Sequence, residues 1–255
     1  MTFKPLDSLD GQTVVITGAM GGIGLATATR MAARGARIVG IVRRDLDIAN
    51  ATLAALPNSH LNHFAVLADV TDKAQVKDAL MQVISKAGQC NILVNTIGQT
   101  HRIPHDKLDL LSDEFFDEIV KNNLRSYFTV IRAFAPLMRK SPEGLIVNIG
   151  SAAGQNAGGG SNLAYVSAKA GIDALTRNLS RVLAPDVRVV GIAPGALATK
   201  FVPNVSDGFY EGVIKGTPLQ RVPTVEDVAA TVEAVATLIR FATGIVIAVD
   251  GGRTI

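Results

Sequence analysis

Short unbroken runs of apolar, largely β-branched residues alternate with longer stretches in which apolar positions recur every three or four residues. The runs are TVVIT (13–17), RIVGIV (37–42), NHFAVLA (62–68), NILVN (91–95), LIVNIG (145–150), VRVVGIA (187–193) and GIVIAV (244–249). They are continuous rather than alternating, which is the pattern of strands covered on both faces. Helices are predicted between them near 23–34, 46–56, 72–86, 112–139, 163–184 and 225–239. Thr71 or Asp72, Ser112 and Thr224 stand where N-caps belong. A β-α order repeated from end to end predicts an α/β fold: a Rossmann-type, doubly wound parallel sheet of about seven strands with helices on both faces. One domain over 1–255 follows, with no linker or repeat. The alternation is interrupted near 198–222, a stretch of poor periodicity carrying Pro203, Gly208, Gly212, Gly216 and Pro218. An insertion this long after a strand is expected to be a lid or disordered.

Composition adds limits to this picture. The 255 residues are 48% apolar and 18% charged, enough for a large core, and the formal charge is only +3. No basic run suggests nucleic-acid binding, and no apolar run is long enough to span a membrane. The opening MTFKPLDSLDGQ lacks the apolar core of a signal peptide, so a soluble cytoplasmic protein is the expectation. The single cysteine, Cys90, reads as a small buried residue. His101 and His105 are four apart, but Pro104 between them argues against a shared helix face, and no ligand set for a metal is complete.

Two stretches carry candidate chemistry. The first strand runs into TGAMGGIG (17–24) and then a helix. A glycine-rich turn there points backbone N–H groups at an anion, and the helix dipole favours negative charge. Gly18, Gly22 and Gly24 suit a tight turn, close approach of a pyrophosphate and close helix–strand contact. Met20 and Ile23 belong to the same turn and are placed with it. The second strand ends at Val42, followed by Arg43, Arg44 and Asp45. An acidic residue at the strand end would bind a ribose 2′-OH, whereas an Arg accommodates a 2′-phosphate, so NADP is expected over NAD. Asp45 is assigned to capping the next helix. In AYVSAKAG (164–171), Tyr165 and Lys169 lie one helical turn apart on one face. Taken alone, such a pair is worth only about 0.2–0.5 kcal/mol.

With these motifs in their order, the whole chain resembles the short-chain dehydrogenase/reductase family of roughly 250 residues. TGAMGGIG matches its cofactor turn, NTIG (95–98) its NNAG element, YVSAK its Tyr-Lys motif, PGALAT (194–199) its PGxxxT element and VDGG (249–252) its C-terminal signature. The resemblance implies an oxidoreductase interconverting a ketone or aldehyde and a secondary alcohol by hydride transfer. It implies a catalytic set of Asn123, Ser151, Tyr165 and Lys169. Tyr165 is then the general acid/base and Ser151 a donor to the substrate oxygen. Lys169 lowers the tyrosine pKa and holds the ribose, and Asn123 holds a relay water. Asn122 is the weaker alternative to Asn123. Asp69 and Val70 are implied at the adenine, Asn95 and Gly98 beside the cofactor, and Pro194, Gly195 and Thr199 near the carboxamide. The pocket is expected among His101, Arg102, Gln155, Asn156, Leu197 and the insertion, whose Phe201, Phe209 and Tyr210 would close over the substrate or pack at a subunit boundary.

Two departures stand out. Ile97 replaces a small residue at the NNAG element, where it would crowd the cofactor cleft. The Ser151–Tyr165 loop is long and carries Gly158-Gly159-Gly160. A homotetramer or homodimer is implied, built through 112–139, 163–184 and the last strand. Within the class, a 3-oxoacyl-carrier-protein reductase stands beside sugar, steroid and small-ketone dehydrogenases. A basic patch of Arg132, Arg139, Arg177 and Arg181 would suit an acidic carrier, and solvated or interface charges are the plainer reading. A non-catalytic dinucleotide-binding redox sensor is the alternative outside the class.

Overall fold

The computed structural model describes residues 8–141, 143–156, 159–199, 201–202 and 208–255. Gly158 and Pro203 therefore lie outside the described residues. The strands are β1 (Thr13–Thr17), β2 (Arg37–Val42), β3 (Phe64–Leu67), β4 (Ile92–Asn95), β5 (Gly144–Ile149), β6 (Val187–Pro194) and β7 (Val246–Val249). All pair in parallel in the order β3-β2-β1-β4-β5-β6-β7. The helices are α1 (Gly22–Ala33), α2 (Leu46–Ala54), α3 (Lys73–Ala87), α4 (Asp113–Val120), α5 (Ser126–Met138), α6 (Leu163–Leu183), α7 (Phe209–Lys215) and α8 (Val225–Thr237).

Successive strand residues point to opposite faces. Val14 and Ile16 join Met31, Leu53, Val228 and Val232 in one core, under α1, α2 and α8. Val15 joins Val76, Val83, Phe134 and Leu183 in the other, under α3, α5 and α6. Burial on both faces is why the strands read as continuous apolar runs. Cys90 is fully buried in the second core, where desolvation pushes its thiol up.

The expected caps form at Asp72, Ser112 and Thr224, the last in a reciprocal capping box with Asp227. Asp45 does not behave as expected. It occupies the N-cap position of α2 with a left-handed φ of 56°, and its side chain makes no cap hydrogen bond. The single helix expected over 112–139 is also revised: Lys121–Arg125 form a π-helical segment between α4 and α5. A widened turn of this kind changes the side-chain phase along a helix and is frequent at functional sites. In the insertion, where no regular element was expected, Phe209–Lys215 are helical.

Strand order reverses between β1 and β4, so the loops leaving the C-terminal ends of these strands diverge and open a crevice. The helix whose N-terminus faces that crevice, α1, is seated by α8. Glu233 of α8, nearly buried, bonds Arg30 Nε and Arg34 Nε of α1, each at 2.6 Å. Glu233→Ala removes a charged acceptor shared by two donors, so it is expected to cost about 1.5–3 kcal/mol of stability. A urea midpoint equal to wild type would show that α1 is seated by apolar contact alone.

Candidate active site

The crevice begins at the turn between β1 and α1. Gly18 has φ of 72°, and a Cβ there would come within 3.1 Å of Ile97 and 3.0 Å of Thr96. Ile97 thus packs against the turn. At Gly24 a Cβ would sit 2.3 Å from the Gly18 carbonyl oxygen, so helix and turn meet too closely for any side chain. The N-cap of α1 is Gly21, without a side-chain cap, and the first turn carries no acid. Its leading N–H groups are left for an outside acceptor, and a pyrophosphate fits such a cradle.

Thr199 lies beside this turn: its methyl is 3.8 Å from the position a Cβ would take on Gly22. The PG element is backed by the C-terminal signature, since a Cβ on Gly195 would meet Asp250 Cα at 3.1 Å. Asp250 itself is spent on Gly252 N, Thr254 N and Thr254 Oγ1.

Arg43 and Arg44 are exposed at the end of β2, and among the described residues neither makes an ion pair. The Gly18 N–H donates to Ile41 O at 2.9 Å, which brings the glycine turn two residues from Arg43. Asp69 follows β3, where Ala68 N donates to Val42 O at 2.8 Å. The Asp69 carboxylate accepts from Thr71 N, and Val70 is buried.

Asn95 is buried in a row of side chains crossing the strand ends. Thr17 Oγ1 reaches Asn95 Oδ1 at 3.5 Å, Asn95 Nδ2 donates to Asn148 Oδ1 at 3.0 Å, and Asn148 Nδ2 donates to Thr176 Oγ1 at 3.1 Å. The row joins β1, β4 and β5 to α6, the helix of Tyr165 and Lys169.

Asn123, on the π-helical segment, is fully buried. Its Nδ2 donates to Gln99 O and Ile119 O, and its Oδ1 accepts from Gln99 N. Its observed work is to clamp the loop after β4. Asn122 instead donates to Glu118 O. A second clamp was not anticipated. Asn162, also fully buried, accepts from Tyr165 N through Oδ1 at 2.8 Å, which caps α6. Its Nδ2 donates to His101 O at 2.7 Å and Thr100 Oγ1 at 3.0 Å. The visible signal was an Asn three residues before Tyr165, the acceptor type that opens helices.

Ser151 leaves β5 and accepts from Ala153 N at 3.2 Å. It also lies close enough to the Tyr165 phenol to favour its ionised form. Lys169 Nζ donates to Ile149 O at 2.9 Å and lies over two rings, 5.3 Å from the centroid of Tyr127 and 5.8 Å from that of Tyr165. Tyr127, four residues beyond Asn123, is a further buried member of the site. Its hydroxyl lies 2.9 Å from both Ile97 O and Ile149 O. The structure therefore brings Ser151, Tyr165 and Lys169 together.

The expected lowering of the tyrosine is not observed. Burial pushes Tyr165 up to about 12, against the opposing pull of the nearby Ser151. Burial also pulls Lys169 down to about 7, against the field of Asp173. The ammonium sits over the ring face and bonds a carbonyl, so desolvation outweighs it.

At the rim, His101 and Arg102 are exposed. Arg102 sits 5.5 Å from the Phe209 ring of α7, linking the β4 loop to the insertion. Phe201 packs against the Tyr165 ring, with centroids 6.0 Å apart, and near Gly98. Leu197 O accepts from Tyr210. Gln155 turns away from this rim and donates to Asp173 Oδ2 at 2.9 Å, and Asn156 is exposed. Among the described residues no three His, Cys, Asp or Glu side chains gather in a way that could hold a metal.

Comparison with known proteins matches the family described as enoyl-(acyl carrier protein) reductase to residues 18–254. A granaticin polyketide synthase protein of Streptomyces violaceoruber, named as a candidate ketoacyl reductase, is 36% identical over 96% of this chain and 97% of its own length. The 3-oxoacyl-[acyl-carrier-protein] reductase FabG of Escherichia coli is 30% identical over 96% of this chain and 98% of its own. The crystal structure of a Brucella melitensis 3-ketoacyl-(acyl-carrier-protein) reductase complexed with NADH superposes with a TM-score of 0.87 at 30% identity, over 97% of this chain and all of that one.

The two roles of Asn162, cap of α6 and clamp on the β4 loop, are separable by mutation. Asn162→Asp keeps the cap on α6 but sets a carboxylate oxygen against the His101 carbonyl, so the donor to the loop backbone is lost. Asn162→Ala loses the cap as well. Both are expected to lower turnover, and Ala alone should also cost about 0.5–2 kcal/mol for the cap. Equal turnover in wild type and Asn162→Asp would show that the loop needs no hold from α6.

Proposed function

The chain belongs to the short-chain dehydrogenase/reductase family, and from that premise we propose that it works as an NADPH-dependent ketone reductase with Tyr165 as the proton donor. As a member it is an oxidoreductase acting on a carbonyl/alcohol pair with a nicotinamide dinucleotide. The direction, the residues and the 2′-phosphate preference are our reading. A reduced nicotinamide, when bound, supplies hydride, and everything else falls to this chain's residues.

The observation that carries the reading is a buried phenol, Tyr165, with Lys169 Nζ 5.8 Å from its ring centroid and Ser151 at the strand end beside it. At neutral pH it keeps its proton, which is the state needed to protonate an oxygen as negative charge develops on it. Ser151 donates to the same oxygen and holds the phenol in line. Lys169 puts positive charge under the ring plane and is placed for the ribose hydroxyls. Asn123 and Asn162 hold the β4 loop, so His101 and Arg102 face the pocket from a fixed shelf. Phe201 and the α7 aromatics give the pocket an apolar wall that excludes water. Gly18, Gly22 and Gly24 with the α1 N-terminus would receive the pyrophosphate, and Arg43, free of acidic partners among the described residues, would take the 2′-phosphate, with Arg44 beside it.

The names of the relatives make 3-oxoacyl thioesters of a carrier protein the first substrates to try. The basic patch expected for such a partner is partly spent inside the chain: Arg139 donates to Val182 O, and Arg132 lies over Phe128. Exposed Phe116, Phe128 and Val182 on α4, α5 and α6, and Leu238, Ile239, Phe241 and Ile245 around β7, support assembly as a homodimer or homotetramer through those faces. No helix among the described residues is long and apolar enough to cross a membrane.

NADPH oxidation followed at 340 nm with a panel of ketones and 3-oxoacyl thioesters tests the activity. Tyr165→Phe is expected to lose about 10²–10⁴-fold in kcat with cofactor affinity retained, and near-wild-type turnover would sink the assignment. Arg43→Ala should lower kcat/KM for NADPH by about 10-fold or more, the worth of a hydrogen bond to a charged group, and leave NADH nearly untouched. Equal loss with both cofactors would show that Arg43 does not read the 2′-phosphate.

A further inference from the structure

Behind the Tyr165–Lys169 face of α6 lies a carboxylate that the proposed chemistry does not use. Asp173 is one turn beyond Lys169 and only 3% exposed. Its Oδ2 accepts from Gln155 Nε2 at 2.9 Å. Its Oδ1 is buried and has no hydrogen-bond partner. The same oxygen lies 3.1 Å from the position a Cβ would take on Gly150, the residue before Ser151. Asp173 thus touches the Ser151 segment on both sides, at Gly150 behind it and at Gln155 after it. An isolated buried carboxylate is costly, and a position that retains one needs a compensating charge. Two positive charges are available, Arg177 one turn further along α6 and the Lys169 ammonium one turn before, and Lys169 is the one at the reacting face.

We propose that Asp173 is a positioning residue of the active site, which supplies the counter-charge of Lys169 and fixes the strand-end segment that carries Ser151. The proposal rests on the reading of Ser151, Tyr165 and Lys169 as the reducing machinery and adds to it a fourth group that touches neither substrate nor cofactor.

The groups facing Lys169 are few. From α5 comes the Tyr127 ring. From α6 come Tyr165 and Asp173, and from the end of β5 comes the Ile149 carbonyl. Asp173 is the single carboxylate whose charge favours the ammonium, against the burial that brings Lys169 down to about 7. Asp173 in turn faces Gln155, Arg177 and Lys169, and burial raises its own carboxyl against their pull. No ion pair joins Lys169 and Asp173 among the described residues, and the ammonium bonds Ile149 O instead. The carboxylate therefore acts through its field, which leaves the ammonium free to serve the face of α6 that meets the cofactor.

The sign of the effect follows. Tyr165 keeps its proton well above neutral pH, so the alkaline limb of the reductase profile reports loss of the Lys169 proton. Removing the Asp173 charge makes that proton easier to lose, and the limb moves to lower pH. In kcat/KM for ketone reduction, Asp173→Asn should fall about tenfold near pH 8, the loss that one unit of displacement produces, and the deficit should shrink as the pH is lowered. Asp173→Glu should restore the limb. Gln155→Ala, which keeps the charge and frees the segment, should lower kcat without moving the limb. Asp173→Ala, which leaves no polar group behind, carries the same expectation as Asp173→Asn if the latter does not fold.

A limb unchanged in both charge-removing variants, or a loss equal at every pH, would overturn the proposal. Tyr165→Phe run alongside separates the two layers. If it retains turnover, the reading of the site falls; if it is inactive while the limb stays fixed, only the role of Asp173 falls.

Discussion

A buried amide that finds no partner costs more than most single contacts contribute, and that constraint shapes the C-terminal edge of this sheet. Four polar side chains, Thr17, Asn95, Asn148 and Thr176, stand in an otherwise apolar layer. Each can be tolerated there only if the next is in register. Parallel pairing sets Thr17 opposite Asn95 and Asn95 opposite Asn148. The last link then reaches α6 through Thr176. The glycine turn after Thr17 and the Tyr165–Lys169 face of α6 are held in one frame by that row. A slip of one residue in any of the three strands would bury unpaired amides and move the two halves of the site apart.

The same desolvation acts on the charged members of the site, and in opposite directions. A phenol loses its neutral form less readily when buried, and an ammonium loses its charged form more readily. Tyr165 and Lys169 share one pocket and are displaced accordingly, one up to about 12 and the other down to about 7. In isolation this would leave a protonated but weakly acidic phenol beside a weakened cation. The carbonyl of Ile149, the faces of Tyr127 and Tyr165 and the carboxylate of Asp173 all act to keep the ammonium charged. Charge at the site is therefore sustained from behind the helix, leaving its open face for the groups that react.

Much of this was legible in the sequence because it follows from local pattern. Continuous apolar runs marked strands buried on both faces, and the glycines of 17–24 marked a turn where a Cβ collides with a carbonyl, as Gly24 shows. The Tyr165–Lys169 pair, Ser151 and Asn123 were found as motifs, and the structure brings the first three together. What stayed hidden depends on partners far apart in the chain. Asn162 and Thr100 are separated by 62 residues, and Asn95 and Asn148 by 53. Neither pairing leaves a periodicity to read. The direction of the Tyr165 shift was misjudged for a related reason. A charge four residues away is visible in a sequence, whereas the depth of burial that outweighs it is a property of the folded whole. Asp45 failed as a cap because its backbone is left-handed, a conformation that residue type permits but does not announce.

The two ends of the crevice differ in solvent exposure, and the difference matches what each end must do. Arg43 and Arg44 stand exposed at the end of β2, where screening weakens a charge but leaves it free to meet a phosphate. Tyr165, Asn123, Asn162 and Lys169 are buried, where geometry is fixed and a misplaced proton is costly. An exposed end tolerates substitution and can change which cofactor it prefers at little expense to the fold. A buried end cannot, because its amides and its ammonium are already spoken for: Asn123 by Gln99, Asn162 by the cap and the loop, Lys169 by Ile149. On the proposed reading, the proton chemistry is therefore the fixed part of the site, and the cofactor end at Arg43 and the rim of Arg102, Phe201 and α7 are the parts that sequence change can move independently of it.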